Sequence, residues 1–250
     1  MKWSYSRVEC YKRCPRQFKY RYIDRLTTIP DQEAANALYL GTALHTGMEH
    51  DADSAIQNYY SNYYVITDAN VNEAIKIEAL VEKMKQVVPE GLHEVPLEAD
   101  DYVGFIDLLV EIEPNVYAMY DYKYSNNIER YLESGQLSVY KYKFEQLNPT
   151  KRIDKLYFVF APKIQIRQKK TETIEQFRIR LRSELDKADV KVIEVPFCSK
   201  KVEEYKRTIC EIENAKVFPR NKTRLCDWCE FKDYCLNNEG WMLYEREGTL

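Results

Sequence analysis

Tyr102-Val-Gly-Phe-Ile-Asp107-Leu-Leu-Val-Glu-Ile112, then Glu113-Pro114-Asn115, then Val116-Tyr-Ala-Met-Tyr-Asp121-Tyr-Lys123, read as two strands joined by a turn. Alternate side chains of a strand share a face, so Asp121 and Lys123 project together. Asp107 lies in the preceding strand within an apolar stretch, where an unpaired carboxylate is costly to bury and needs a compensating cation. Two carboxylates converging at a sheet edge, with the backbone carbonyl of Tyr122 between them, suit Mg2+ or Mn2+. His45 offers a nitrogen ligand, which tilts the preference towards Mn2+.

Working outward, residues 93–98 form a strand ahead of this hairpin, and a helix at about 129–147 follows it. That helix stacks Gln136 and Tyr140, four residues apart, where both could touch a substrate backbone. Strands near 154–161, 163–169 and 190–197, a charged amphipathic helix at about 171–187, and a helix marked by Val202, Tyr205, Ile209 and Ile212 complete the second half. Upstream, helical periodicity covers 34–50, 54–64 and 72–88, clearest in Val71, Ile75, Leu80, Val81, Met84 and Val88. Ser6-Arg7-Val8-Glu9 reads as a capping box opening a helix that Pro15 disturbs, so Cys14 sits on or just after a helix.

Cys226-Asp-Trp-Cys229 followed by Cys235 is a metal or iron–sulfur ligand cluster. Four soft ligands are needed, and Cys14 in Cys14-Pro15-Arg16-Gln17-Phe18 is the candidate for the fourth, with the nearby Cys10 as competitor. The spacing alone admits either Zn2+ or a cluster. Cys198 and Cys210 read as buried apolar residues. Seven cysteines, an opening Met1-Lys2-Trp3-Ser4 with no apolar segment, and no stretch approaching the ~20 apolar residues of a membrane span together point to a reducing, cytoplasmic setting. A net charge of −3 argues against a surface coated in positive charge, while leaving room for a locally basic groove. With 250 residues the chain is expected to form one domain: a helical portion over about 1–90, a core over about 91–197, and a helix and cysteine segment over about 198–250.

The order Gly41-x-x-x-His45, Gly104-Phe105-Ile106-Asp107, Asp121-x-Lys123, Gln136-x-x-x-Tyr140 resembles the RecB-type branch of the PD-(D/E)XK nuclease superfamily. Ser6-x-x-x-x-Tyr11-x-x-Cys14-Pro15 and the closing cysteines resemble its iron–sulfur subgroup, which includes the AddAB-type recombination nucleases and the cluster-bearing nuclease of CRISPR adaptation, with stand-alone relatives in phages and archaeal viruses. The resemblance spans about Ser4 to Cys235.

It implies an α/β, restriction-endonuclease-like core, a mixed central sheet flanked by helices. It also implies a four-iron four-sulfur cluster on Cys14, Cys226, Cys229 and Cys235. The nuclease site would have His45, Asp107, Asp121 and the Tyr122 carbonyl as ligands of Mg2+ or Mn2+, Lys123 beside the scissile phosphate, and Gln136 and Tyr140 positioning the strand. The activity implied is metal-dependent hydrolysis of DNA, on single strands or ends, in recombination, repair, replication or CRISPR-like processing. A helicase or recombination partner and a homo-oligomer are left open. A non-catalytic DNA-binding or helicase-partner module is the alternative.

The remaining groups have plainer readings. His50 and His93 are ordinary histidines, and Glu49, Glu98 and Glu111 are solvated carboxylates. The 21 tyrosines mostly edge a core, and Lys163-Ile-Gln-Ile-Arg167-Gln-Lys169-Lys170 either lines a phosphate channel or protects an edge strand.

Overall fold

In the computed structural model, which describes residues 1–29, 31–237 and 243–245, the hairpin forms as β3 (Val103–Glu113) and β4 (Val116–Tyr124). The strands run antiparallel from Leu108↔Tyr120 to Glu113↔Val116. Asn115 turns the chain at φ 63°, a left-handed conformation that asparagine tolerates, and its amide donates to Glu111 Oε1 at 2.9 Å. With β2 (Leu92–Glu98), β5 (Arg152–Ala161) and β6 (Lys191–Glu194) they make a five-stranded sheet of order β2-β3-β4-β5-β6. β4 and β5 are parallel and β5 and β6 antiparallel, so the sheet is mixed, as expected.

The parallel β4–β5 step needs a crossover, supplied by α6 (Ile128–Leu132) and α7 (Gln136–Leu147), which pack on these strands. The single helix expected over 129–147 is therefore two. Ser134-Gly135 interrupts it, and Gln136 opens the second. The other face is covered by α3 (Ala37–Glu49), α4 (Ala52–Tyr60), α5 (Asp68–Val87) and α8 (Ile174–Asp186), whose Leu44, Met48, Leu80 and Leu181 share a core with Leu108, Tyr122 and Val159. Asn36 caps α3, and capping boxes Thr67/Asn70 and Thr173/Gln176 open α5 and α8. Gly47 lets α3 close on its neighbours, since a Cβ there would stand 2.4 Å from Val81 Cγ2 and 2.9 Å from Ala55 Cβ.

The strand expected at 163–169 does not form. Both edges of β5 are already taken by β4 and β6, and Ile164 and Ile166 pack onto the helical core instead. Lys163 is tied to Asn126 through its own amide (2.7 Å) and carbonyl (2.9 Å).

The chain divides into two compact units: Gln32–Leu97 with Phe105–Cys198, which holds the sheet and helices above, and Met1–Asp31 with Glu98–Gly104 and Ser199–Leu250. The second unit contains α1 (Tyr5–Arg13), α2 (Pro15–Phe18), a π-helical turn Lys19–Ile23, β1 (Leu26–Thr28), α9 (Ser199–Asn214), a 3-10 turn Arg224–Trp228, α10 (Lys232–Asn237) and β7 (Leu243–Glu245). Ser4, not Ser6, caps α1, accepting from the Arg7 amide at 3.3 Å. Phe18 is fully buried among Trp3, Tyr11, Tyr22 and Phe218, and β1 pairs antiparallel with β7. Among the described residues no helix is long and apolar enough to cross a membrane.

Candidate active site

The β3–β4 pairing stops at Leu108↔Tyr120, and Asp107 and Asp121 stand one residue beyond it. There the Tyr122 amide donates to Asp107 Oδ2 at 2.6 Å, so a carboxylate replaces the backbone acceptor that a continued ladder would supply. Asp121, 2 % exposed, forms an ion pair with Lys123 and accepts from Gln136 Nε2 at 2.7 Å. The break before α7 is what brings Gln136 there. Lys123 Nζ also lies 5.6 Å from the Tyr131 ring centre and 5.9 Å from that of Phe158. Tyr140 follows one turn along α7, half-buried.

His45 comes from the last turns of α3, with Nδ1 3.5 Å from Asp107 Oδ1 and 3.6 Å from Glu94 Oε1. Its ring meets that of Tyr122 edge-on at 5.8 Å. Ligand atoms of His45, Glu94 and Asp107 all lie within 4.8 Å of one another, a set that could hold a metal ion. Tyr122 takes part through its amide and ring.

Glu94 is the residue that sequence reasoning missed. It adopts φ 47° inside β2, a left-handed conformation that costs a non-glycine residue on the order of 1 kcal/mol and tends to mark functional positions. Pro96, two residues on, is a mark of an edge or irregular strand and was the available signal.

The group is crowded with charge. Burial works against the His45 cation, but Asp107 and a bond to Glu94 outweigh it and push the imidazole up to about 9. Burial, reinforced by the Asp121 charge, pushes Asp107 up to about 7. Burial also opposes the Lys123 charge, yet Asp121 and Asp107 more than offset it and hold the ammonium above its ordinary range. A further positive charge beside Asp107 would favour its ionised form.

Glu98 pairs with Lys2, Glu111 serves the turn, and Glu49 faces His50 at 3.7 Å. Burial lowers His93.

In the other unit, Cys14, Cys226, Cys229 and Cys235 line one cavity of about 190 Å3. Cys14 occupies the junction of α1 and α2, where Pro15 starts the second helix. The segment at 218–221 is fastened there: Arg16 N to Pro219 O (3.2 Å), Arg16 Nε to Phe218 O (2.9 Å), Asn221 Nδ2 to Arg13 O (2.9 Å), and the Asn221 amide towards Cys14 Sγ at 3.5 Å. Arg21 pairs with Glu230. Cys10 is buried and does not line this cavity. Cys198 is half-buried, and Cys210 is exposed, contrary to the burial expected of it.

No curated protein matches the chain in sequence. The family model of the PD-(D/E)XK nuclease superfamily matches residues 2–236. That match takes in every residue of the acid–lysine group and all four cavity cysteines, and the chain belongs to the PD-(D/E)XK nuclease superfamily.

Proposed function

We propose that the chain is a Mg2+- or Mn2+-dependent deoxyribonuclease of the RecB-like branch, hydrolysing phosphodiester bonds in single-stranded DNA or at DNA ends. The observation that carries this reading is the convergence of His45, Glu94 and Asp107 beside the Asp121–Lys123 pair. One imidazole with carboxylates is a donor set for Mn2+ or Mg2+. The crowding that drives His45 and Asp107 towards protonation is what a divalent cation relieves. When bound, such an ion supplies Lewis-acid polarisation of the scissile phosphate and acidifies a coordinated water.

His45, Glu94, Asp107 and Asp121 would hold the ion, with the Tyr122 amide and Gln136 fixing the two aspartates. Lys123, charged through its pairing with Asp121, would orient the attacking water or meet the charge growing on the phosphate. Tyr140 would steady the strand.

We further propose that the four cavity cysteines hold a four-iron four-sulfur cluster with a structural role. A lone tetrahedral Zn2+ with Zn–S of about 2.3 Å draws its sulfurs to roughly 3.8 Å. Among the described residues no three of these thiols come within 4.8 Å of one another, while all four face the same 190 Å3 cavity. Burial pushes the Cys229 thiol up, which disfavours a thiolate without bound metal. The chain is proposed to act as a single nuclease domain in a reducing cytoplasm, in recombination, repair, replication or CRISPR-like processing, alone or with a helicase or recombination partner or further copies of itself.

The test is cleavage of end-labelled single-stranded DNA with Mn2+ or Mg2+. Wild type should cut, and Asp121→Ala and Lys123→Ala should each cut at least roughly a hundredfold more slowly. Cleavage that survives both substitutions would overturn the site assignment.

A further inference from the structure

We infer that the cysteine-bearing unit carries a nucleotide pocket of its own, walled by Arg16, Lys19, Tyr20, Lys216 and Phe218. These residues line a cavity of about 320 Å3, and every charged residue in its lining is a cation. That volume is within the roughly 300–1,000 Å3 of ordinary small-ligand sites. In a chain of net charge −3, such a cavity selects anions locally.

The cations differ in how far they are already engaged. Arg16 is anchored through Nε to the Phe218 carbonyl at 2.9 Å, which fixes the direction of its guanidinium. Lys19 is ion-paired with Asp24, donating to Oδ1 at 2.7 Å and to Oδ2 at 2.5 Å. Lys216 is exposed and forms no ion pair among the described residues, so the lining retains excess positive charge.

The aromatic walls are packed against other rings. Tyr20 is braced edge-on by Phe231 at 5.6 Å and Tyr234 at 5.0 Å, and Phe218 stacks on Phe18 at 6.2 Å. Fixed aromatic surface beside a guanidinium and two ammonium groups matches a phosphate joined to a planar base. The choice of a nucleotide over other aromatic phosphates rests on the nuclease reading above. Arg16 and Tyr20 also line the thiol cavity, so the two cavities share a wall.

The experiment is fluorescence anisotropy of a labelled oligothymidylate with the full-length protein as purified, without added Mg2+ or Mn2+, over a series of salt concentrations. Lys216→Glu should weaken binding roughly tenfold and flatten the salt dependence by roughly 0.7 in log–log slope, the loss of one single-strand phosphate contact. Lys19→Gln should weaken it less.

Thymidine monophosphate should compete and inorganic phosphate should compete far less. If the monophosphate binds as tightly as the oligonucleotide, the pocket takes free nucleotides. If it competes no better than inorganic phosphate, the nucleotide assignment is overturned. Unchanged affinity and salt slope in both variants, each with an unaltered melting curve, would overturn the pocket. No cleavage is read, so the outcome is independent of whether the acids hydrolyse DNA.

Discussion

The acid–lysine group and the thiol cavity are both ligand sets, and they are built in opposite ways. His45, Glu94, Asp107, Asp121 and Gln136 project from α3, β2, β3, β4 and α7, of which α3, β3 and β4 are held by an apolar core that includes Leu44, Met48, Leu108 and Tyr122. Their charges already answer one another, Asp107 with His45 and Asp121 with Lys123. Cys226 lies on a five-residue 3-10 turn, Cys229 at its end, Cys235 on a six-residue helix and Cys14 at a helix junction. These short pieces are joined by hydrogen bonds and aromatic contacts around a cavity. The sheet unit sets its site by packing, whereas on the cluster proposal the thiol unit would depend on what its cavity binds.

The contrast breaks first at the cysteines. Cys226→Ser or Cys235→Ser should remove at least about 5 kcal/mol of stability from the thiol unit, because metal binding by such sites is itself folding free energy. Denaturant unfolding, with loss of broad visible absorbance from anaerobically purified protein, measures this. Unchanged unfolding and a colourless, fully folded wild type with stoichiometric zinc would show that the cavity holds no cluster.

The sheet unit should instead answer to packing. Gly47→Ala forces a methyl to within 2.4 Å of Val81 Cγ2 and should cost about 1–3 kcal/mol, with the visible absorbance retained. Loss of colour in that variant would mean that the two units do not separate in this way.

In metal-free protein His45 is raised from 6.5 to about 9, so its stabilisation is complete below pH 6.5 and lost as pH rises towards 9. Asp107 is raised from 3.8 to about 7, so the folded state holds its proton longer than the unfolded chain and stability again falls as pH rises between those values. The two slopes share a sign. Thermal melting of wild type against His45→Gln should show the wild-type advantage shrinking from pH 6 to pH 9, and added Mn2+ should raise the wild-type melting temperature more at pH 8 than at pH 6. A wild-type advantage that grows with pH would contradict the charge assignment.

Much of the sheet and half of the acid group can be read directly, because Asp121-x-Lys123 obeys the two-residue period of a strand and Asp107 is flanked on both sides by apolar residues. Glu94 escapes that reading because its left-handed φ breaks the alternation that would have aimed it. Gln136 reads as lying inside a continuous helix, whereas it opens α7 after Ser134-Gly135, small residues that punctuate the chain there. Residues 163–169 alternate like a strand, yet whether a strand forms depends on a free edge, and β5 has none. The thiols of Cys14 and the distant Cys226 segment show no periodicity, and only ligand spacing and the family resemblance link them.

On the proposed function, one divalent cation is shared by His45, Glu94, Asp107 and Asp121. Anomalous diffraction from crystals soaked in Mn2+ tests it most directly. A single peak among those four side chains, lost in Asp107→Ala, is the predicted result. A Mn2+ peak elsewhere, with these side chains still paired only to one another, would contradict it.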